Sequence, residues 1–270
     1  MDSVKSTLTE HCCDKVLERL GLPRTPEPNL QGLTMIYQAW CEKIPFDNIL
    51  KRIMMVENSN DELPGLLPED FFDSWLKYGI GGTCWASQGA LKSLLDKLRF
   101  SANYVLSTML SSGNENSLTP GHGSIMVNFE NAKFIIDPTM LHANPLPLLD
   151  YTNDHPVWKI RVHYKNDFWC VNWKPLGRPY VDCRLLNINA SSREFIYHHK
   201  KSRGTSRFNS ATIIRVARKD SIVGLVKGEK ITRRNDGVEI RQQLNHRQQL
   251  ELLIDELKID EQLAMKVPLS

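Results

Sequence analysis

The sequence predicts an α+β chain in three parts: a helical bundle over residues 1–100, an antiparallel sheet forming a small barrel over 101–190, and a mixed α/β part over 191–270. Three observations carry this expectation. Apolar residues recur at three- and four-residue steps up to residue 100, as on helix faces. From 102 to 186 the apolar residues fall instead in short, turn-bounded runs rich in β-branched and aromatic side chains, as in strands. Beyond 190 both patterns occur.

Taken in order, residues 1–22 read as an amphipathic helix with Val16, Leu17 and Leu20 on one face and Gly21 and Pro23 at its end. A proline-rich linker over 24–28 leads to a second helix with Leu33, Ile36, Tyr37 and Trp40 on its apolar side, ending before Pro45. The phrase Ile44-Pro45-Phe46-Asp47-Asn48-Ile49 reads as a connector, a helix stop with a core phenylalanine. Residues 51–69 read as a polar loop, followed by a helix bearing Phe71, Phe72, Trp75 and Leu76 that Gly79 closes. A long helix then starts at Cys84, with Leu91, Leu94, Leu95 and Leu98 along it, and ends near Arg99. Strands are expected at 102–110, 123–129, 133–137, 158–164, 168–173 and 180–186, with a polar loop at 111–118 and an irregular link at 140–156. A helix near 195–199, strands at 212–217, 222–226, 229–232 and 238–242, and a terminal helix at 247–263 complete the expectation.

Composition excludes several classes. A net charge of +3 is too small for a nucleic-acid binder. No apolar run approaches membrane-spanning length, and the opening residues lack the apolar run of a signal peptide, so a cytoplasmic location is expected. Six cysteines without a CxxC pair or regular spacing indicate neither a disulfide framework nor a zinc site, and no metal is expected.

One stretch carries chemistry. In Gly81-Gly82-Thr83-Cys84-Trp85, two glycines permit a tight backbone approach, Thr83 is suited to N-cap a helix, and Cys84 falls on the first helical residue. The positive end of the helix dipole and the unpaired N–H groups there favour a thiolate, which makes Cys84 a candidate nucleophile. His122 precedes one strand and Asp137 ends the next. A hairpin loop of four residues places the two side chains opposite each other, and a loop of two makes them diagonal neighbours; both arrangements let imidazole and carboxylate meet. Cys84, His122 and Asp137 are thus the expected catalytic triad, the histidine accepting the thiol proton and the aspartate fixing its tautomer.

Those residues resemble the nucleophile motif of the arylamine N-acetyltransferase family, within the transglutaminase-like cysteine superfamily. The family pattern Arg-Gly-Gly-x-Cys-x-Glu-x-Asn stands here as Ile80-Gly81-Gly82-Thr83-Cys84-Trp85-Ala86-Ser87-Gln88, and Ile-Pro-Phe-Glu-Asn as Ile44-Pro45-Phe46-Asp47-Asn48. His122 and Asp137 match in order and spacing. The resemblance implies a helical bundle, a β-barrel and an α/β lid on a cysteine-proteinase-like core. It also implies acyl transfer from acetyl-CoA through a thioester on Cys84 to a small-molecule amine acceptor, with coenzyme A or an acyl-carrier thioester as donor and neither nucleic acid nor membrane as partner. Phe46 and Trp85 are expected to wall the substrate pocket, and the first backbone N–H groups of the Cys84 helix to serve as oxyanion donors. The family's Asp-Val-Gly-Phe-Gly is Asp137-Pro138-Thr139-Met140-Leu141 here, a change expected to narrow or reshape the space for donor and acceptor. Three other readings stand beside acyl transfer: an amide synthase that releases or cyclises a carrier-bound chain, a thiol hydrolase or peptidase, and a non-catalytic binding homologue.

Overall fold

The structure is a computed structural model that describes residues 8–23, 25–110 and 115–269; residues 1–7 of the helix expected over 1–22, Arg24 of the linker and 111–114 of the polar loop lie outside the described residues. Local signals place most of the helices. α1 (Glu10–Leu20) starts at Thr9, whose side chain accepts from the Cys12 N–H, and stops at Gly21 in the left-handed region. α2 (Leu30–Lys43) is capped by Asn29 and ends at Ile44, which Pro45 holds extended. α4 (Pro68–Tyr78) has proline in its first turn, Glu69 and Asp70 near its N-terminus and left-handed Gly79 after it. α5 (Cys84–Lys97) runs through the middle of the bundle, with Leu91, Leu94 and Leu95 wholly buried against Trp40, Phe71 and Phe72.

Two elements stand where the sequence suggested irregular chain. Phe46–Asp47 form a two-residue strand, β1, rather than a plain connector. Residues 51–69 do not begin as loop: α3 (Ile49–Val56) occupies the first part. Its charged Lys51 and Arg52 obscure the pattern, but Ile49, Ile53 and Met54 share an inner face, and Ile49 and Ile53 pack into an apolar cluster with Ile214 and Leu253. Tertiary burial decides the helix where propensity does not.

The middle of the chain is one eight-stranded antiparallel sheet. Its strands are β2 (Ser101–Leu110), β3 (His122–Phe129), β4 (Ala132–Ile136), β5 (Leu146–Pro147), β6 (Tyr151–Asn153), β7 (Ile160–Lys165), β8 (Phe168–Trp173) and β9 (Val181–Ala190), in spatial order β5-β4-β3-β2-β9-β8-β7-β6. Leu146 of β5 and Ile160 and Val162 of β7, from opposite ends of that order, join Val105, Met126, Val171 and Leu185 in a single core. The sheet therefore curls into a nearly closed barrel. The link expected to be irregular over 140–156 contains the short edge strands β5 and β6.

α6 (Ser192–Thr205) follows, opened by a capping box of Ser191 and Glu194. A five-stranded antiparallel sheet then forms in the order β1-β10-β11-β12-β13, from β10 (Ile213–Arg218), β11 (Ser221–Val226), β12 (Glu229–Arg233) and β13 (Glu239–Gln243), so the third part of the chain takes its edge strand from the first. The terminal helix is broken: α7 (His246–Glu251) runs into a π-helical turn at Leu252–Glu256, Lys258 turns left-handed, and α8 (Glu261–Ala264) starts afresh with Asp260 as its cap. The break lets the Asp260 N–H reach the Tyr78 carbonyl at 3.0 Å. Gly79 makes that contact possible, because a Cβ there would stand 2.5 Å from the Lys258 carbonyl oxygen. Among the described residues no helix is long and apolar enough to cross a membrane.

Candidate active site

The Gly81-Gly82-Thr83 loop that delivers Cys84 is held by the Ile44–Ile49 phrase. Gly81 passes so close to the chain that a Cβ would lie 1.9 Å from the Pro45 carbonyl oxygen, which only glycine allows. The Asp47 carboxylate accepts from the Gly81 N–H at 2.6 Å and the Ile49 N–H at 2.9 Å, and the Asp47 N–H donates to the Gly82 carbonyl at 3.2 Å. Burial outweighs those two hydrogen bonds and pushes the Asp47 carboxyl up to about 6. Asn48 donates to the carbonyls of Phe208 (2.8 Å) and Ala211 (2.7 Å) and accepts from the Ile213 N–H (2.8 Å). What reads in the sequence as a helix stop is a clamp between the Gly81-Gly82-Thr83 loop and the chain at 208–213.

Cys84 is the first residue of α5 and is 4% exposed. Thr83 takes the N-cap position, but its side chain makes no cap hydrogen bond, contrary to the expectation. The first intrahelical bond is from the Ser87 N–H to the Thr83 carbonyl, so the N–H groups of Cys84, Trp85 and Ala86 lie ahead of the ladder and are not taken up by the cap.

The hairpin turns through two residues, pairing Phe129 with Ala132 and Ile125 with Ile136. Continuing that register places Asp137 opposite Ser124 and makes His122 its diagonal neighbour. His122 Nε2 lies 2.6 Å from Asp137 Oδ2, and the same oxygen accepts from Ser124 Oγ at 2.8 Å. Oδ1 accepts from Gln88 Nε2 at 2.7 Å and from the Thr139 N–H at 3.0 Å. The Asp137 N–H donates to the Tyr37 hydroxyl at 3.0 Å. With Nε2 engaged by the carboxylate, Nδ1 is left free of Asp137, and Cys84 lies close enough to the imidazole to act on its protonation. Burial opposes a charge on His122, but the Asp137 carboxylate and Cys84 outweigh it and push the imidazole up to about 10. The structure thus brings Cys84, His122 and Asp137 together as one buried group, with imidazole and carboxylate hydrogen-bonded.

Phe46 and Trp85 both lie beside the thiol, in a cluster with Leu106, Ala190 and Phe195. Phe195 of α6 meets Trp85 edge-on at 5.0 Å and stacks on Tyr104 at 4.1 Å, and Phe208 meets Phe46 edge-on at 5.2 Å. Gly123 makes room for this cover, since a Cβ there would be 2.6 Å from the Phe195 ring. The altered segment after Asp137 acts elsewhere than expected: Pro138–Met140 coil into a 3₁₀ turn, and Met140 packs into the barrel core, not among the side chains around Cys84. The space beside the thiol is filled by aromatic rings from the third part of the chain.

Gln88 reads in the sequence as a departure from the family's asparagine, yet it holds the triad carboxylate. Its position four residues after Cys84, on the same helical face, is the signal that points to it. Ala86 and Ile80 have packing reasons. The Ala86 methyl would already be 2.7 Å from a Cβ at Gly65 and 3.0 Å from one at Gly82, and Ile80 is wholly buried in the cluster with Ile49 and Leu253. One group of three possible metal ligands is found among the described residues, His122, Asp137 and Cys183, with ligand atoms within 4.8 Å of one another. Both Asp137 oxygens already accept hydrogen bonds, and burial together with Asp137 holds the Cys183 thiol well above its ordinary range.

A profile of the N-acetyltransferase family matches residues 29–174. The sequence matches no curated protein. Among solved structures, the fold is similar to an arylamine N-acetyltransferase from Mycobacterium smegmatis (TM-score 0.78, 17% identity, covering 93% of this chain and 96% of that one). It is also similar to one from M. tuberculosis (0.78, 14%, 93% and 98%) and to one from M. marinum in complex with CoA (0.75, 16%, 93% and 92%).

Proposed function

The chain belongs to the N-acetyltransferase family, and on that premise we propose that it moves an acyl group, acetyl in the first instance, from a coenzyme A thioester to an amine through an acyl-thioester on Cys84. The observation that carries the reading is the buried series Cys84–His122–Asp137 at the start of α5. The similar M. marinum enzyme, which holds CoA, supports the choice of donor.

The cycle follows from the groups present. His122 takes the proton of the Cys84 thiol, and the sulfur attacks the thioester carbonyl. The N–H groups of Cys84 and Trp85 receive the negative charge that builds on the carbonyl oxygen. As the intermediate collapses, the C–S bond to coenzyme A breaks and His122 gives its proton to the departing thiolate. The amine then attacks the acyl-cysteine, His122 takes a proton from it, and Cys84 leaves as a thiolate facing the imidazolium once more. Asp137 holds the ring in the tautomer that both steps need, while Gln88, Ser124 and the Thr139 N–H hold Asp137.

In this reading the three parts divide the labour: 1–100 supplies the nucleophile, 101–190 the histidine and aspartate, and 191–270 the cover. With Cys84 and His122 at 4% and 3% exposure, substrate reaches them only when Phe195 and Phe208 move aside. The six cysteines are unpaired, which suits a reducing compartment, and we place the reaction in the cytoplasm. Steady-state kinetics test the scheme. Parallel double-reciprocal lines for acetyl-CoA and an amine, with free coenzyme A released before amine is added, are expected. Coenzyme A release only when both substrates are present would contradict it.

A further inference from the structure

Arg215 has no role in the steps above, and its setting is unusual. It lies on β10 between Phe46 of β1 and Gly224 of β11. Gly224 leaves room for its stem, since a Cβ there would come within 3.0 Å of Arg215 Cγ. The guanidinium lies 4.2 Å from the centre of the Phe46 ring and 6.0 Å from that of Trp173, and the residue is 5% exposed. Its Nε is buried without a hydrogen bond, and among the described residues no acidic side chain forms an ion pair with it. Asp137 attracts it, but both Asp137 oxygens are committed to His122, Ser124, Gln88 and Thr139. Arg233, the neighbouring buried arginine, is by contrast matched by Glu239 and three carbonyls. Burial, followed by repulsion from Arg233, pulls Arg215 down to about 10, with Cys84 and Asp137 acting in the opposite sense.

A buried cation without a counter-charge is costly to keep for structural reasons alone. Here it lies on the ring of Phe46, which shares one buried cluster with Cys84, and Cys84 is among the groups that act on its charge. Its planar fork suits a carboxylate, whose single negative charge matches the single positive one. We propose that the substrate brought to Cys84 carries a carboxylate that docks on Arg215, borne either by the acyl group of the thioester or by the acceptor amine. This deepens the acyl-transfer reading and rests on it.

The test is made with the full chain carrying Cys84→Ala, so that binding is read without turnover. Dissociation constants are measured by calorimetry for two matched pairs, succinyl-CoA against acetyl-CoA and 4-aminobenzoate against aniline. In one pair the carboxylate-bearing compound binds about tenfold tighter or more, and adding Arg215→Met reduces that preference to about twofold or less. A preference in the first pair puts the carboxylate on the acyl group, and one in the second puts it on the amine. No preference in either pair overturns the proposal, as does a preference that Arg215→Met leaves intact. Folding supplies a separate reading, because removing an uncompensated buried charge should leave the melting temperature of the Arg215→Met protein equal or higher. A marked fall, or failure to fold, would show that the arginine serves the structure and would overturn the proposal as well. Because no reaction is read, failure of acyl transfer at Cys84 would be seen separately in the protein that keeps the thiol.

Discussion

Replacing Asp137 by asparagine tests the site at its most constrained point. The Thr139 N–H and Gln88 Nε2 both donate to Oδ1, so in the variant that position keeps the amide oxygen. The amide nitrogen then falls where Oδ2 stands, 2.6 Å from His122 Nε2 and 2.8 Å from Ser124 Oγ. An NH₂ group there donates to Nε2, which drives the imidazole proton to the nitrogen facing Cys84. The ring can then no longer accept the proton of the thiol. A tautomer error of this kind costs roughly 10³- to 10⁴-fold in rate, about 4 to 5.5 kcal/mol of activation free energy. The shape is conserved and two of the four hydrogen bonds persist, so the protein stays folded. Single-turnover acylation by acetyl-CoA, followed by quenched-flow mass spectrometry, gives the rate, and circular dichroism gives the fold. A folded variant acylated within about tenfold of the wild-type rate would refute the reasoning about Asp137.

Three further predictions concern the surroundings. Gln88→Leu removes one of two donors to Asp137 Oδ1, a hydrogen bond to a charged group worth about 1.5–3 kcal/mol, and is expected to slow acylation by roughly 10- to 100-fold; an unchanged rate would show that Gln88 merely fills space. Gly81→Ala places a methyl against the Pro45 carbonyl and is expected to lower stability by more than about 3 kcal/mol in urea titration, whereas a loss below about 1 kcal/mol would mean that the clamp yields easily. Stability also depends on pH in two windows. His122 is raised from 6.5 to about 10, so its contribution is complete below about pH 6.5 and is lost as pH rises through about 10. Asp47 is raised from 3.8 to about 6, so the folded state binds its proton more tightly, and stability falls as pH rises across that interval too. Melting temperatures from pH 4 to 10 check both, and Asp137→Asn and Asp47→Asn should flatten the upper and lower windows respectively.

The proximity of Cys84, His122 and Asp137 was legible because each of them sits at a local landmark. Gly81, Gly82 and the leucine period mark the start of α5, and the hairpin needed only an even loop to bring His122 and Asp137 together. The two-residue turn selected the diagonal arrangement of the two that were open. Other features depend on partners far away in sequence. α3 carries Lys51 and Arg52 amid its apolar residues, so its inner face declares itself only against Ile214 and Leu253. The break in the terminal helix brings the Asp260 N–H to the Tyr78 carbonyl, a contact that no local pattern announces. Asp47 and Asn48 looked like connector residues because their partners, the Gly81 N–H and the chain at 208–213, are assembled only in the fold. The bulk after Asp137 was legible, but not its direction, because the 3₁₀ turn sends Met140 into the barrel. The rings over Cys84 come from Phe195 and Phe208, which in the sequence are two phenylalanines in a basic stretch.

In the proposed cycle Cys84 carries the acyl group. The most direct measurement is peptide mapping by mass spectrometry after brief incubation with acetyl-CoA and acid quenching. One acetyl group is expected, on the peptide that contains Cys84, hydroxylamine-labile as a thioester is, and absent from His122→Ala protein. Acetylation at another cysteine, or none at Cys84 in folded protein under conditions in which an amine is acetylated, would contradict it.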